Sequence, residues 1–522
     1  MTAFPASPVA PSPVTASSPG AGPAGECPFH KALGLPQPSA RATAASPGTV
    51  APTAVTLPAP LLAPGSLPLP PIFPSTNLFG HLFRFRNDPL ALLEEARALG
   101  DTVRIRVGMR YLTVVYNAEA VHHVLVEKQP NYVKQTRGYQ ALRRLLGNGL
   151  LTSEGAFWKR QRKIAQPAFQ AKRLQGFAST FQKAAEDLVK EWQLAASEGR
   201  KVDIAEAMNR LALRIAGETL FGLDISGDSN VIGGALSDML GGFLPTVTNP
   251  LLDYLPLPSV RRYKRGKKTL DRVVMELIAR RRADPELAAT SDDLLGMFMS
   301  ARDEDGAAMS DEQLRDEVLT MLLAGHETTA NALAWTLYHL ARNPDPAATL
   351  HAEVDAVLGN DPFSLEKYGQ LIWTDQVLKE GMRLNSPAWI ESRMAVEADT
   401  INGYDVPAGS FVFMTQYATH RHPRYWADPA RFDPTRFAPT SKDQPHLCPD
   451  GSPRPRLAYL PFSEGQRKCI GENFAMMEAR IVLAILARNF SFQMDSEAPI
   501  RAEASVTLRP DGPMWMRLTR RA

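Results

Sequence analysis

Apolar side chains recur every three to four positions over Leu90–Leu99, Ala171–Glu198 and Asp203–Leu220, and similar spacing fills most of the chain after Asp88. Such spacing gathers them on one face and predicts helices. Three short stretches differ. DTVRIRVG, YLTVVYN and, after Pro387, FVFMTQY alternate or cluster β-formers and predict strands. The fold class is therefore mainly α with a smaller β part. One helix is unusually long. Ser310 can cap it, with Gln313 as capping-box partner, and it runs to Arg342, where Asn343-Pro344 stops it. Its roughly 32 residues span about 48 Å, enough to cross a domain. Its middle reads MLLAGHETTANALAW. Gly325 in a helix interior costs about 1 kcal/mol relative to Ala. Glu327 and the pair Thr328-Thr329 interrupt the apolar stripe. Three helix-unfriendly choices at one place call for a reason.

Residues 1–66 contrast with this. They are rich in Pro, Ala, Ser and Thr, lack any apolar period, and predict a disordered tail ahead of a folded domain at 67–522. The domain is large enough for a sizeable core. With 44% hydrophobic and 22% charged residues the chain has the balance of a soluble globular protein. A net charge of +3 argues against a dedicated nucleic-acid binder. No segment reaches the roughly 18 uninterrupted apolar residues that a membrane span needs. Val55–Phe73 is broken by prolines and is no signal peptide. The chain reads as a cytoplasmic monomer, with a peripheral membrane contact left open. Its cysteines are Cys27, Cys448 and Cys469, without a CxxC pair. That pattern fits neither a zinc ribbon, nor an iron–sulfur cluster, nor a disulfide framework. Cys27, in the tail, is an exposed thiol without a task.

Cys469 lies in PFSEGQRKCIGENFAMMEAR. An isolated cysteine is commonly a small buried hydrophobe. Here Ile470, Phe474, Met477, Ile481 and Ile485 follow helical spacing, so a helix begins right after it. The free N–H groups of that terminus, with Arg467 and Lys468, stabilise a thiolate. Gly465 and Gly471 permit tight turns around the sulfur. A thiolate held this way is a nucleophile or a metal ligand. No histidine base lies close in sequence to support the first.

Phe462, Gly465, Arg467, Cys469 and Gly471 together spell F-x-x-G-x-R-x-C-x-G. This resembles the haem-ligand loop of the cytochrome P450 family. The resemblance implies that Cys469 is the axial thiolate ligand of the iron of haem b. It also implies that Phe462 packs beside the sulfur and that Arg467 meets a haem propionate. The middle of the long helix, Ala324-Gly325-His326-Glu327-Thr328-Thr329, is similar to the family's oxygen-binding A-G-x-[DE]-T-[TS]. By that likeness Ala324 and Gly325 leave room beside the haem, and Glu327 with Thr328 delivers protons to bound oxygen. Glu380 and Arg383 match the family's E-x-x-R, a structural lock joined by Arg436 of Pro434-Thr435-Arg436-Phe437. There Thr435 replaces the usual acid. Trp158 and Arg162, four apart and so on one helix face, are both donors suited to a carboxylate. The resemblance makes that carboxylate a propionate. Arg393, ten residues after Arg383, occupies the place of another propionate-binding arginine.

The family resemblance implies a monooxygenase that inserts one atom of dioxygen into a small apolar substrate. It implies electrons from a separate ferredoxin or flavodoxin and its reductase, since 53 residues follow Cys469 and the chain has no convincing GxGxxG dinucleotide site and no cluster-binding cysteine set. Arg467 and Lys468 either dock such an acidic partner or only balance propionates and thiolate. By analogy the pocket draws on Tyr139–Leu151, Leu240–Leu255, Ala388–Ile390 and Ala504–Val506. Their apolar character points to a lipid-like substrate: a fatty acid, terpenoid, steroid or polyketide. Two alternatives are a peroxide-driven haem-thiolate enzyme and a haem sensor without chemistry. The intact Glu327-Thr328 pair argues against both.

Overall fold

The structure, a computed structural model, describes residues 65–222, 229–241, 257–284, 293–302, 306–359, 361, 363–441 and 444–521. The expected tail, with Cys27, lies outside the described residues apart from residues 65 and 66. Most of Leu240–Leu255 lies outside them too. The main helices are α1 (Pro89–Arg97), α2 (Gly155–Ala165), α3 (Ala171–Ser197), α4 (Ile204–Phe221), α5 (Pro258–Ala283), α6 (Asp311–Arg342), α7 (Ile372–Leu384) and α8 (Glu472–Asn489).

The long helix α6 has the length and ends the sequence predicts. Ser310 Oγ accepts from the Gln313 amide at 3.2 Å, and Asp311 and Glu312 occupy the positive end of the dipole. Gln313 Nε2 is left without a hydrogen-bond partner among the described residues. Helices α4, α5, α7 and α8 pack around α6, which is buried along most of its length. A helix buried all round must satisfy its polar groups within the protein or offer them to a ligand.

The predicted strands join a five-stranded sheet. Its members are β1 (Thr102–Val107), β2 (Arg110–Val115), β3 (Tyr132–Val133), β4 (Glu391–Ala395) and β5 (Phe411–Met414), in the order β1-β2-β5-β4-β3. β2 and β5 run parallel, and the other neighbours run antiparallel. Leu92 and Leu93 of α1 share a core with Val103, Ile105, Val114 and Trp389. A later hairpin, Ala502–Ala504 with Leu508–Pro510, reaches α6. Trp335 Nε1 donates to the Leu508 carbonyl, and Asn331 Nδ2 to Thr507 Oγ1, each at 3.1 Å.

The E-x-x-R pair forms as the resemblance implies. Arg383 gives two 2.7 Å hydrogen bonds to the Glu380 carboxylate, and both side chains are fully buried. The remaining Arg383 donors reach the carbonyls of His420, Pro429 and Arg431. Arg436 stands 3.4 Å from Glu380. This lock fastens α7 to the segment that leads into the cysteine loop. Cys448 is a buried core residue beside Trp426 and Leu457.

Candidate active site

The cysteine loop is a tight backbone bend. The Cys469 amide donates to the Phe462 carbonyl at 2.9 Å, and the Lys468 amide to the Gly465 carbonyl at 3.1 Å. Gly465 sits at φ +73°, and a Cβ there would lie 2.1 Å from the Leu125 carbonyl oxygen, so only glycine fits. Helix α8 starts at Glu472 with Gly471 as its cap, two residues later than the apolar spacing suggests. The Cys469 thiol is accessible to solvent although dense protein surrounds it. These two facts agree if the sulfur opens on an internal cleft. Burial pushes the thiol pKa up, against the pull of the Gly471 amide, Arg162 and Lys468. The helix terminus and basic neighbours alone therefore do not give the thiolate that the sequence suggested.

Helix α6 faces the same kind of space. Ala324 is exposed, while Met321 to Leu323 before it and His326 and Glu327 after it are buried. Thr328, one turn on, is half-buried, and its hydroxyl donates to the Ala324 carbonyl at 2.6 Å. Gly325 turns elsewhere. A Cβ there would stand 3.6 Å from Leu220 and 4.0 Å from Ala216, both on α4. A methyl group there would make ordinary van der Waals contact with α4. Glu327 is buried, hydrogen-bonded to Thr507, with Oε2 left without a partner. Burial raises its pKa, against the lowering influence of Thr507 and Arg509. Glu327 and Thr328 do not hydrogen-bond to each other directly.

A cluster of buried cations completes the site. Arg467 donates to the Ser153 carbonyl at 2.8 Å, stacks 4.2 Å over the Trp158 ring, and lies 3.7 Å from Glu154. Burial lowers its pKa to about 10. Arg162 donates to the Lys468 carbonyl at 2.8 Å. Arg393, on β4, is 3.0 Å from Glu391 and 3.5 Å from the Tyr139 hydroxyl. Lys134 donates to the Leu151 carbonyl at 3.1 Å. Burial lowers its pKa well below the usual value, and Arg467 and Arg393 act in the same direction. Among the described residues, the carboxylates set against Lys134, Arg393, Arg467 and Arg162 are Glu154 and Glu391.

A family model for cytochrome P450 matches residues 70–516. The chain belongs to the cytochrome P450 family. It is accordingly a monooxygenase whose cofactor is haem b. This P450 is 33% identical over 460 residues to cyclooctatin synthase of Streptomyces melanosporofaciens, covering 87% of the chain and 94% of that relative. It is 29% identical to pentalenene oxygenase of Streptomyces avermitilis, over 88% of the chain and 97% of that protein. Among solved structures, the haem domain of cytochrome P450DA superposes with a TM-score of 0.78 at 28% identity, over 87% of this chain and 98% of that one. The residues present suit a haem. An exposed thiol lies in the cysteine loop, and an exposed alanine in the mostly buried middle of α6. The surplus of buried cations calls for anionic partners, which propionates supply. The Trp158 indole N–H, with no hydrogen-bond partner among the described residues, is a further free donor.

Of the residues singled out in the sequence of this P450, Trp158, Arg162 and Arg467 meet around one point near Cys469. Arg393 joins them through the charge cluster with Lys134. Arg467 is 4% exposed and directed inward, so it is not available to dock a partner, and Lys468 is paired with Glu472 at 2.6 Å. Lys134, Glu154, Glu391 and Thr507 escaped the sequence reading. Each is brought in by tertiary contact from a segment without a distinctive local pattern, so no spacing signals it.

Proposed function

We propose that this P450 oxygenates an apolar terpenoid and draws its electrons from a separate ferredoxin or flavodoxin system. The haem domain is read as residues 67–522, with Cys469 as the iron ligand. Trp158, Arg162, Arg393, Arg467 and Lys134 hold the propionates. Phe462 and Gly465 shape the ligand loop, and Ala324 flanks the haem. When bound, haem b supplies reductive activation of dioxygen and transfer of one oxygen atom to substrate, the other leaving as water. A coordinated cation reverses the pKa logic of a buried thiol and deprotonates it. Thr328 keeps its proton on the Ala324 carbonyl and its lone pairs free toward the cleft. Glu327 behind it holds a proton more tightly than an exposed carboxyl does. The two are suited to pass protons inward, joined by water.

The observation that carries the substrate reading is the run of terpenoid-modifying relatives. These are cyclooctatin synthase, pentalenene oxygenase and cyclooctat-9-en-7-ol 5-monooxygenase, the last 32% identical over 431 residues. The apolar segments predicted to line the pocket support the same class. The separate electron donor is supported by the absence of any CxxC pattern from the sequence.

Two measurements test this. Purified holoenzyme is titrated with sesquiterpene and diterpene hydrocarbons and with fatty acids while the iron spin state is followed. Terpenes are expected to shift it and to yield singly oxygenated products with NADH and a surrogate ferredoxin system. A response to fatty acids alone overturns the substrate class. Separately, Cys469→Ala is expected to lose the thiolate-type reduced carbon-monoxide spectrum. A normal spectrum in that variant refutes the ligand assignment.

A further inference from the structure

Among the described residues, three that are not glycine adopt a left-handed backbone: Asn402 at φ +52°, Asp428 at φ +43° and Ser463 at φ +59°. Asparagine and aspartate tolerate that region because their short polar side chains bond locally, and serine is the less usual occupant. Ser463 lies in the cysteine loop, between Phe462 and the bend at Gly465. Its amide donates to the Leu460 carbonyl at 3.1 Å. Glycine meets a positive φ without strain, as it does at Gly465. A serine held there against its preference points to a task for the hydroxyl. That hydroxyl does not bond locally. It donates at 3.0 Å to Glu391 Oε2, 72 residues earlier on β4.

Glu391 is a meeting point of three segments. Its side chain is 10% exposed. The same Oε2 atom accepts from Arg393 Nη2 at 3.0 Å, and Oε1 accepts from Gln416 Nε2, just after β5, at 3.0 Å. Arg393 belongs to the buried cation cluster with Lys134 and Arg467. Charge balance there needs a carboxylate beside Arg393. It requires neither a bond to the cysteine loop nor a strained serine to make that bond. One oxygen atom of Glu391 thus joins the loop that presents Cys469 to an arginine of the propionate cluster.

We propose that Glu391 is a positioning residue. Through Ser463 it couples the cysteine loop to Arg393, so that the iron ligand and the propionate clamp are set as one unit. The proposal rests on the assignment of Cys469 to the iron and of Arg393 to a propionate. Hydrogen bonds from an outer shell fix the place and orientation of metal ligands. Here that outer shell reaches the second anchor of the haem as well. A propionate held by Arg393 is linked by Glu391 and Ser463 to the loop that carries the sulfur. The carboxylate also places a buried negative charge in the cluster, which disfavours adding an electron to the haem.

The test compares wild-type holoenzyme with variants by reduced carbon-monoxide spectrum, rate of haem loss to a scavenging apoprotein and haem reduction potential. Ser463→Gly removes the hydroxyl and the backbone strain together. It is expected to speed haem loss by about threefold or more and to convert part of the spectrum to the thiol type. A serine with only a structural role gives a glycine variant with wild-type spectrum and haem retention, and that result overturns the proposal. Glu391→Gln keeps an acceptor for Ser463 and Arg393 but not the charge. Gln416, whose Oε1 has no partner among the described residues, can turn its amide to receive the new NH2 group. Glu391→Gln is expected to move the ferric–ferrous equilibrium toward the ferrous form by about threefold or more. An unmoved potential overturns the proposal too. Ser463→Gly placed on Glu391→Ala is expected to add nothing, because its partner is already gone, and multiplied losses would count against the coupling. A wild type with an imidazole-type spectrum defeats instead the assignment of Cys469, so the two failures are told apart.

Discussion

Lys134 shows how a single residue can be shaped by what it is meant to meet. The residue is 6% exposed, and its ammonium group is close to Arg467 and Arg393 and holds one carbonyl. Burial is the main reason its pKa falls below the ordinary 10.5, and the two arginines add to it. A lysine with a depressed folded pKa binds its proton less well folded than unfolded. Its charge therefore costs stability at neutral pH, and that cost fades as pH rises toward 10.5. The haem-free protein carries this cost, and an anionic partner removes it. Lys134→Met is accordingly expected to stabilise the haem-free protein by about 1 kcal/mol in chemical denaturation. The same substitution is expected to speed haem loss to a scavenging apoprotein. Stabilisation without faster haem loss would separate Lys134 from the cofactor.

Among elements, the contact between α6 and the segment Gly147–Leu150 is the most sharply determined. The Asn148 amide donates to Asp316 at 2.7 Å and the Leu150 amide to Glu317 at 2.9 Å. The segment comes so close that a Cβ at Gly147 would lie 2.0 Å from the Asp316 carboxylate, and one at Gly149 2.2 Å from Thr320 Oγ1. Glu317 is fully buried with Oε1 unpartnered, and its pKa rises to about 7, chiefly through burial. For an acid with a raised folded pKa, the stabilising contribution is whole below the unfolded value of 4.5. It is lost as pH climbs to about 7. By linkage the difference amounts to as much as about 3 kcal/mol. Glu317→Gln is thus expected to flatten the fall in urea midpoint between about pH 5 and pH 8. An unchanged slope would assign the pH dependence to other groups. The apolar period gave α6 and its ends, because a buried stripe and a cap are local signals. The docking of Gly147–Leu150 was not legible. It depends on two carboxylates lying some 170 residues later in sequence, which no local pattern pairs with those glycines.

At the scale of the molecule, the motifs are points where distant segments must meet, and that is why they were readable while the cation cluster around them was not. F-x-x-G-x-R-x-C-x-G fixes a loop whose bend excludes other residues, as Gly465 does against Leu125. Lys134 only supplies charge, which several positions can provide. Glu380 and Arg383 are the plainest case of the first kind. Their pair is fully buried, with Arg383 spending its other donors on three carbonyls and Glu380 also accepting from the Asp433 amide at 2.8 Å. A buried ion pair contributes little net stability when both partners are present, because desolvation offsets attraction. Removing one partner is different, since the other charge stays buried and unpaired at a cost of about 3–5 kcal/mol. Glu380→Ala is therefore expected to lower the denaturant midpoint steeply and to yield little haem-loaded protein. Arg383→Met alone should be similarly damaging. The double variant Glu380→Ala with Arg383→Met should be less destabilised than the sum of the singles, since neither buried charge is then stranded. Strict additivity of the two losses would mean that the pair does not act as a unit.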